Sequence, residues 1–177
     1  MTHRVLVAIV VPLAWTLVGA CGGGANSVPG TFTVDFPTAA AAIAVMTKTP
    51  GVQVSVYATD ALGAEAGATS GLCETLVEES LANGTVMAPA VATSAVVTAC
   101  ELMAGKGSLA MPYGSYAFLA VAQSSQGQDL LVGCAEQTIS STNTNVLIPM
   151  TLASSTMALP TSKCTMLSQA CGGGGGC

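Results

Sequence analysis

Ser115-Tyr-Ala-Phe-Leu-Ala-Val-Ala-Gln123 is almost wholly apolar and is bounded by turn residues on both sides. A run of this length with no polar alternation reads as a central strand buried on both faces. On its N-terminal side, Pro112-Tyr-Gly114 makes a turn, and Ser108–Met111 before it is a short strand candidate. On its C-terminal side, Ser124–Asp129 is a polar turn, and Leu130–Ser140 returns antiparallel. Asn145–Leu152 closes the set, with Val146, Ile148, Met150 and Leu152 facing in and Pro149 facing out. Proline lacks a ladder donor, so this strand is expected at a sheet edge.

Further out, Thr31-Phe-Thr-Val-Asp-Phe36 alternates with period two, placing Phe32, Val34 and Phe36 on one face. Val52, Val54 and Val56 repeat the pattern, with Gln53, Ser55 and Tyr57 opposite. Ala39–Met46 fits a short helix, a connection or another strand. Asp60–Gly71 reads as a loop rich in glycine and alanine. Leu72–Ala82 is predicted as a short helix: Leu72, Leu76, Val77 and Leu81 form its apolar stripe, Ser70 can cap it, and Asn83-Gly84 ends it. Ala95–Leu102 is expected to be a strand. Several short strands with turns between them predict a mainly β fold, an antiparallel β-sandwich with one short helix and a disulfide-rich tail.

Composition narrows function. The chain has 177 residues, 7% of them charged and 51% hydrophobic, with a formal net charge of −5. Such a composition argues against disorder, and an acidic balance excludes nucleic-acid binding, which needs a basic face. Seven cysteines in so short a chain point to an oxidising compartment.

The N-terminus reads Met1-Thr-His-Arg4, followed by an apolar stretch from Val5 to Ala20 that Pro12 interrupts. That stretch is short of the roughly 20 residues a spanning helix needs, and reads as the h-region of a signal peptide. Val18-Gly-Ala-Cys21 then resembles the lipobox of bacterial lipoproteins: an aliphatic residue, two small residues and a cysteine. The resemblance implies that Cys21 carries a diacylglycerol on its sulfur and, after cleavage, a further fatty-acyl (palmitate-type) chain on its amine. Gly22, where enteric lipoproteins kept at the inner membrane carry aspartate, implies the outer membrane of a Gram-negative bacterium. Setting Cys21 aside leaves Cys73, Cys100, Cys134, Cys164, Cys171 and Cys177, an even set suited to disulfides. Cys73–Cys100 is the first expected pair, with at least one tail cysteine stapled to the domain.

Four segments follow: residues 1–20 as signal peptide, 21–30 as lipidated cysteine and Gly-rich tether, 31–152 as the β domain, and 153–177 as a Ser/Thr linker and Cys/Gly-rich tail. A further resemblance rests on Met111-Pro-Tyr-Gly-Ser-Tyr-Ala-Phe118, which is similar to the turn and strand of transthyretin-like and carboxypeptidase-regulatory-like sandwiches. An immunoglobulin-like sandwich fits nearly as well.

Cleavage before Cys21 removes the only histidine, His3, together with Arg4 and Trp15, and leaves three lysines against nine acids. Histidine-dependent triads, dyads and zinc catalysis are then excluded from the mature chain. Lys48, Lys106 and Lys163 lack the Ser-x-x-Lys pattern and read as solvated groups. Glu74, Glu78 and Glu79 read as a solvated helix face, and Asp60 and Glu65 lack the alternation of a calcium loop. The cysteine spacings do not fit a zinc knuckle.

The expected function is therefore a lipid-anchored, non-enzymatic β module of the cell envelope, for binding, adhesion or envelope structure. It uses no catalytic residue, metal or cofactor. It meets the membrane through its lipid and engages an envelope protein or a glycan. The alternatives are a hydrolase using carboxylates or a Ser–Lys pair, and a disulfide-tailed inhibitor or partner-capping protein.

Overall fold

The computed structural model describes residues 28–48, 51–59, 71–123, 127–156, 158–159 and 164–172, without the side chains of 46–48. Cys21, Cys177, Asp60, Glu65, Ser70 and Lys163 lie outside them, as does most of the predicted 60–71 loop.

The described chain runs β1 (Val28–Asp35), α1 (Ala39–Lys48), β2 (Gly51–Ala58), α2 (Leu72–Asn83), β3 (Ala92–Thr93), α3 (Ala99–Met103), β4 (Ser108–Met111), β5 (Gly114–Gln123), β6 (Asp129–Ile139), β7 (Asn145–Leu152) and α4 (Leu167–Cys171). It is mainly β. The seven strands form one sheet in the order β3-β2-β5-β6-β7-β1-β4, and the edge strands β3 and β4 approach each other, so the sheet nearly closes into a barrel.

The sheet is mixed where a wholly antiparallel one was expected. β1 pairs with β4 antiparallel but with β7 parallel, Thr31–Asp35 alongside Asn145–Pro149. β7 then changes partner: Met150–Leu152 pairs antiparallel with Leu131–Gly133 of β6. Pro149 sits at that handoff. β7 is therefore interior to the sheet rather than an edge, and the missing donor falls where the strand passes from one neighbour to the other. Gly133 makes the passage possible. A Cβ there would lie 2.2 Å from the Pro149 carbonyl oxygen, so only glycine lets the two backbones come this close.

The barrel interior is filled by alternate residues: Phe32 from β1, Val52, Val54 and Val56 from β2, Phe118 and Ala120 from β5, Leu131 and Ile139 from β6, and Val146, Ile148 and Met150 from β7. Leu152, predicted to face in, is 37% exposed. Tyr116 and Phe118 meet edge to face, ring centroids 6.4 Å apart. β5 is buried on both faces over most of its length, as its apolar run predicts.

Four helices are described where one was expected. α1 is alanine-rich and buried all round from Ala41 to Val45; small side chains let it pack closely against β2, α3 and α4. The Thr38 hydroxyl caps its start by accepting from the Ala41 amide at 3.0 Å. α3 replaces the strand expected over Ala95–Leu102. Only Val97 of that stretch pairs with β2, through an isolated bridge to Val52. At Thr98 a capping box takes over: its hydroxyl accepts from the Glu101 amide at 3.2 Å, and Glu101 Oε2 accepts from the Thr98 amide at 2.9 Å. Thr98-x-x-Glu101 is a helix-start signal that the apolar composition of the segment masks.

α2 lies across the outer face of β5 and β6. It buries Leu76 and Ser80 completely or nearly so, while Leu81, expected in the stripe, is 42% exposed. Gly84 ends it in the left-handed region at φ 68°, with its amide donating to the Ser80 carbonyl at 2.8 Å.

Candidate functional site

The outer face of β2 and β5 is not fully covered. α2 covers part of it through Leu76, with Ser80 and its C-terminal turn at the pocket's rim, and the segment 85–90 arches over the remainder. Between them lies a cavity of about 350 Å3. Its floor is the polar row predicted for β2, Gln53, Ser55 and Tyr57, beside Leu119, Val121 and Gln123 of β5. Ser80, Thr85 and Val86 form the roof. No lining residue is charged.

Gln53, Tyr57 and Gln123 are each held by a partner. Gln53 Nε2 donates to the Ser94 carbonyl at 3.3 Å. Ser94 itself is buried and pins β2, its hydroxyl accepting from the Val54 amide at 2.9 Å and donating to the Ala95 carbonyl at 2.7 Å. Gln123 Nε2 donates to Asp129 Oδ1 at 2.8 Å. Tyr57 is 5% exposed. Burial pushes its phenol above the ordinary pKa, the Ser55 hydroxyl pulls the other way, and the Glu79 carboxylate adds to the rise. The tyrosine therefore stays protonated through the neutral range. Glu79 is held by the Met87 amide, which donates to its Oε2 at 3.2 Å.

The cysteines form a different arrangement from the expected one. Cys73 bonds to Cys134, and Cys100 bonds to Cys171, each pair with Cα atoms 5.4 Å apart. The Cys73–Cys100 pairing is thus overturned. α2 docks on the outer face of β6, which brings its first turn to Cys134, whereas Cys100 lies on α3 beside α4. Proximity along the chain pointed to the wrong partner because docking, not loop length, decides which thiols meet. Cys164 is also disulfide-bonded and buried, with its partner outside the described residues. α4 packs on α1 and α3, so the tail is stapled to the domain by Cys171.

The predicted carboxylates do not converge. Glu74 and Glu78 are exposed on α2, and Glu79 is engaged as described. Glu136, unremarked in the sequence, accepts from the Cys73 amide at 3.2 Å and supplies from β6 the cap that Gly71 cannot give α2. Lys106 is exposed. Among the described residues, no group of three or more His, Cys, Asp or Glu side chains is placed to hold a metal.

The cavity was only partly legible. The row Gln53, Ser55, Tyr57 shows a polar strand face, and Ser80 falls four residues after Leu76, inside the helix stripe. Nothing local says that this row and this serine face each other. Fold and site together define a disulfide-clamped, mainly β module with a neutral, half-polar pocket. No family model matches the chain, and no curated protein or solved structure is significantly similar to it.

Proposed function

We propose that the protein is a lipid-anchored, non-enzymatic binding module of the cell envelope, attached to the outer membrane of a Gram-negative bacterium through Cys21. The observation that carries this reading is the state of its thiols. All five cysteines among the described residues are disulfide-bonded, which fits a chain exported to an oxidising compartment. The lipobox-like Val18-Gly-Ala-Cys21 and the glycines after it supply the anchor and tether, and β1 begins only at Val28. The polar groups of the pocket are amides and hydroxyls, suited to recognition of an envelope protein or glycan rather than to proton transfer near neutral pH. Within the same proposal, the single nearly closed sheet is a flattened, sandwich-like variant, and the turn at Met111–Phe118 supports the transthyretin-like version of that plan.

The test is metabolic labelling with a fatty acid, wild type beside Cys21→Ala, followed by membrane fractionation. Label and outer-membrane fractionation in the wild type, both lost in the mutant, support the anchor; equal label in the two forms refutes it. A hydrolase panel on the purified protein addresses the non-enzymatic part. Turnover abolished by one point mutation would overturn that part.

A further inference from the structure

The pocket between α2 and the outer face of β2 and β5 has walls of two kinds. Gln53, Ser55, Tyr57 and Gln123 present amide and phenol or hydroxyl groups; Leu119 and Val121 present apolar surface. At about 350 Å3 it lies within the size range of small-molecule sites. An ionic ligand would shed its hydration there without meeting an opposite charge, since no lining residue carries one.

Ser80 supplies a second, independent sign of a ligand. It is 4% exposed and lines the pocket, yet its hydroxyl makes no hydrogen bond among the described residues. No described side-chain oxygen or nitrogen is sealed away unsatisfied, so this hydroxyl keeps access to the pocket. Buried hydroxyls are ordinarily bonded; one left open toward a cavity marks a position for an incoming partner. The carbonyl oxygen of Gln53 also lacks an intramolecular donor among the described residues, while its amide nitrogen is held by Ser94. Donor and acceptor capacity thus stand on opposite sides of one space.

An extended peptide does not suit this site. Peptides that add to a sheet need a free strand edge. Here β2 is paired with β5 on one side, and with β3 and Val97 on the other. A pyranose offers what the walls ask for: hydroxyls that both donate and accept, a C–H face for Leu119 and Val121, and no charge.

We infer that this pocket binds a neutral carbohydrate of one or two sugar units, as part of an uncharged envelope glycan. The inference rests on the binding-module reading but not on the lipid anchor, so the fatty-acid label and the sugar titration can fail separately.

The experiment is an amide-shift NMR titration of the full processed chain, in a detergent without a sugar headgroup where the chain is acylated. The probes are cellobiose, maltose and N,N′-diacetylchitobiose, with galacturonate and tetra-alanine as charged and peptide comparisons. The expected result is saturable shifts at Gln53, Ser55, Ser80 and Val121 with at least one neutral disaccharide. Ser80→Val and Gln53→Leu should each weaken binding about five- to tenfold, the cost of one hydrogen bond. Gln53 is exposed, so its variant keeps the test valid should Ser80→Val unfold. Absence of saturable binding to all three neutral sugars overturns the proposal. So does binding that maps elsewhere, tighter binding of galacturonate or tetra-alanine, or binding that Gln53→Leu leaves unchanged.

Discussion

The two halves of the barrel solve the same burial problem differently. In β2, β5 and β6 the inner face joins the core, and much of the outer face is covered by α2 and the 85–90 segment. In β1 and β7 only the inner face is buried: Phe32, Val146, Ile148 and Met150 point in, while Leu147 on the outer face is 62% exposed. One half is a three-layer structure and the other a two-layer one. The disulfides follow the division. Cys73–Cys134 fastens the extra layer to the sheet, and Cys100–Cys171 fastens the tail to α3. The pocket arises in the three-layer half, where the covering layer falls short of the sheet edge.

This contrast is most strongly tested through the disulfides. The bridged residues are separated by 61 and 71 positions, so loop entropy assigns both bridges nearly the same value, about 4 kcal/mol. Any measured difference must then come from the folded state. α2 stays on the sheet through Leu76, but α4 has no buried residue and gains freedom once its bond is gone. The double mutant Cys73→Ala/Cys134→Ala should therefore lose close to the full 4 kcal/mol or so, and Cys100→Ala/Cys171→Ala clearly less. Urea denaturation of both mutants measures this; equal losses would mean that α4 is held by packing after all.

Next in size is a matched pair of truncations. Leu76→Ala removes the fully buried contact of α2 with the sheet and should cost about 3 kcal/mol. Leu147→Ala, on the uncovered face of β7, should stay within about 0.5 kcal/mol of wild type. A large loss at Leu147 in the same denaturation assay would show that the second half is covered too.

Gly133→Ala probes the seam between the halves. Its Cβ would strike the Pro149 carbonyl, forcing β6 and β7 apart at a cost of about 2–3 kcal/mol. Amide exchange should then rise at Met150–Leu152 before it rises in β5. Unchanged stability would remove the handoff from the account of how the barrel closes.

The smallest effect is electrostatic. Tyr57 has its folded-state pKa raised above the ordinary 10.0, chiefly by burial. Its contribution is complete below the unfolded-state pKa and is lost as pH rises through the folded-state value, because the unfolded chain ionises first. Stability should fall above pH 10 or so, and Tyr57→Phe should make that fall shallower. The check is the urea midpoint at pH 8 and above pH 10 for both proteins.

What was legible in the chain follows from period and run length. Ser115–Gln123 identified β5 as a two-faced strand, and the alternation of Thr31–Phe36 and Asn145–Leu152 identified one-faced strands, because a buried face must be apolar whatever lies beyond it. Gly84 marked the end of α2 because only that residue type enters the left-handed region without strain. The Thr98/Glu101 box was present but outweighed by the apolar residues around it, which suit a strand or a buried helix equally.

The sequence by itself determined the elements that depend on neighbours a few residues away: most strands, α2, its glycine stop, and a cysteine complement suited to disulfides. Only the tertiary structure decided the parallel seat of β1 beside β7, the change of partner at Pro149, the pairs Cys73–Cys134 and Cys100–Cys171, and the facing of Ser80 toward Gln53 and Tyr57. These depend on which strands pair, which helices meet and which face of the sheet α2 covers. Those choices are made by the summed burial of residues far apart in the chain, and no local pattern records them.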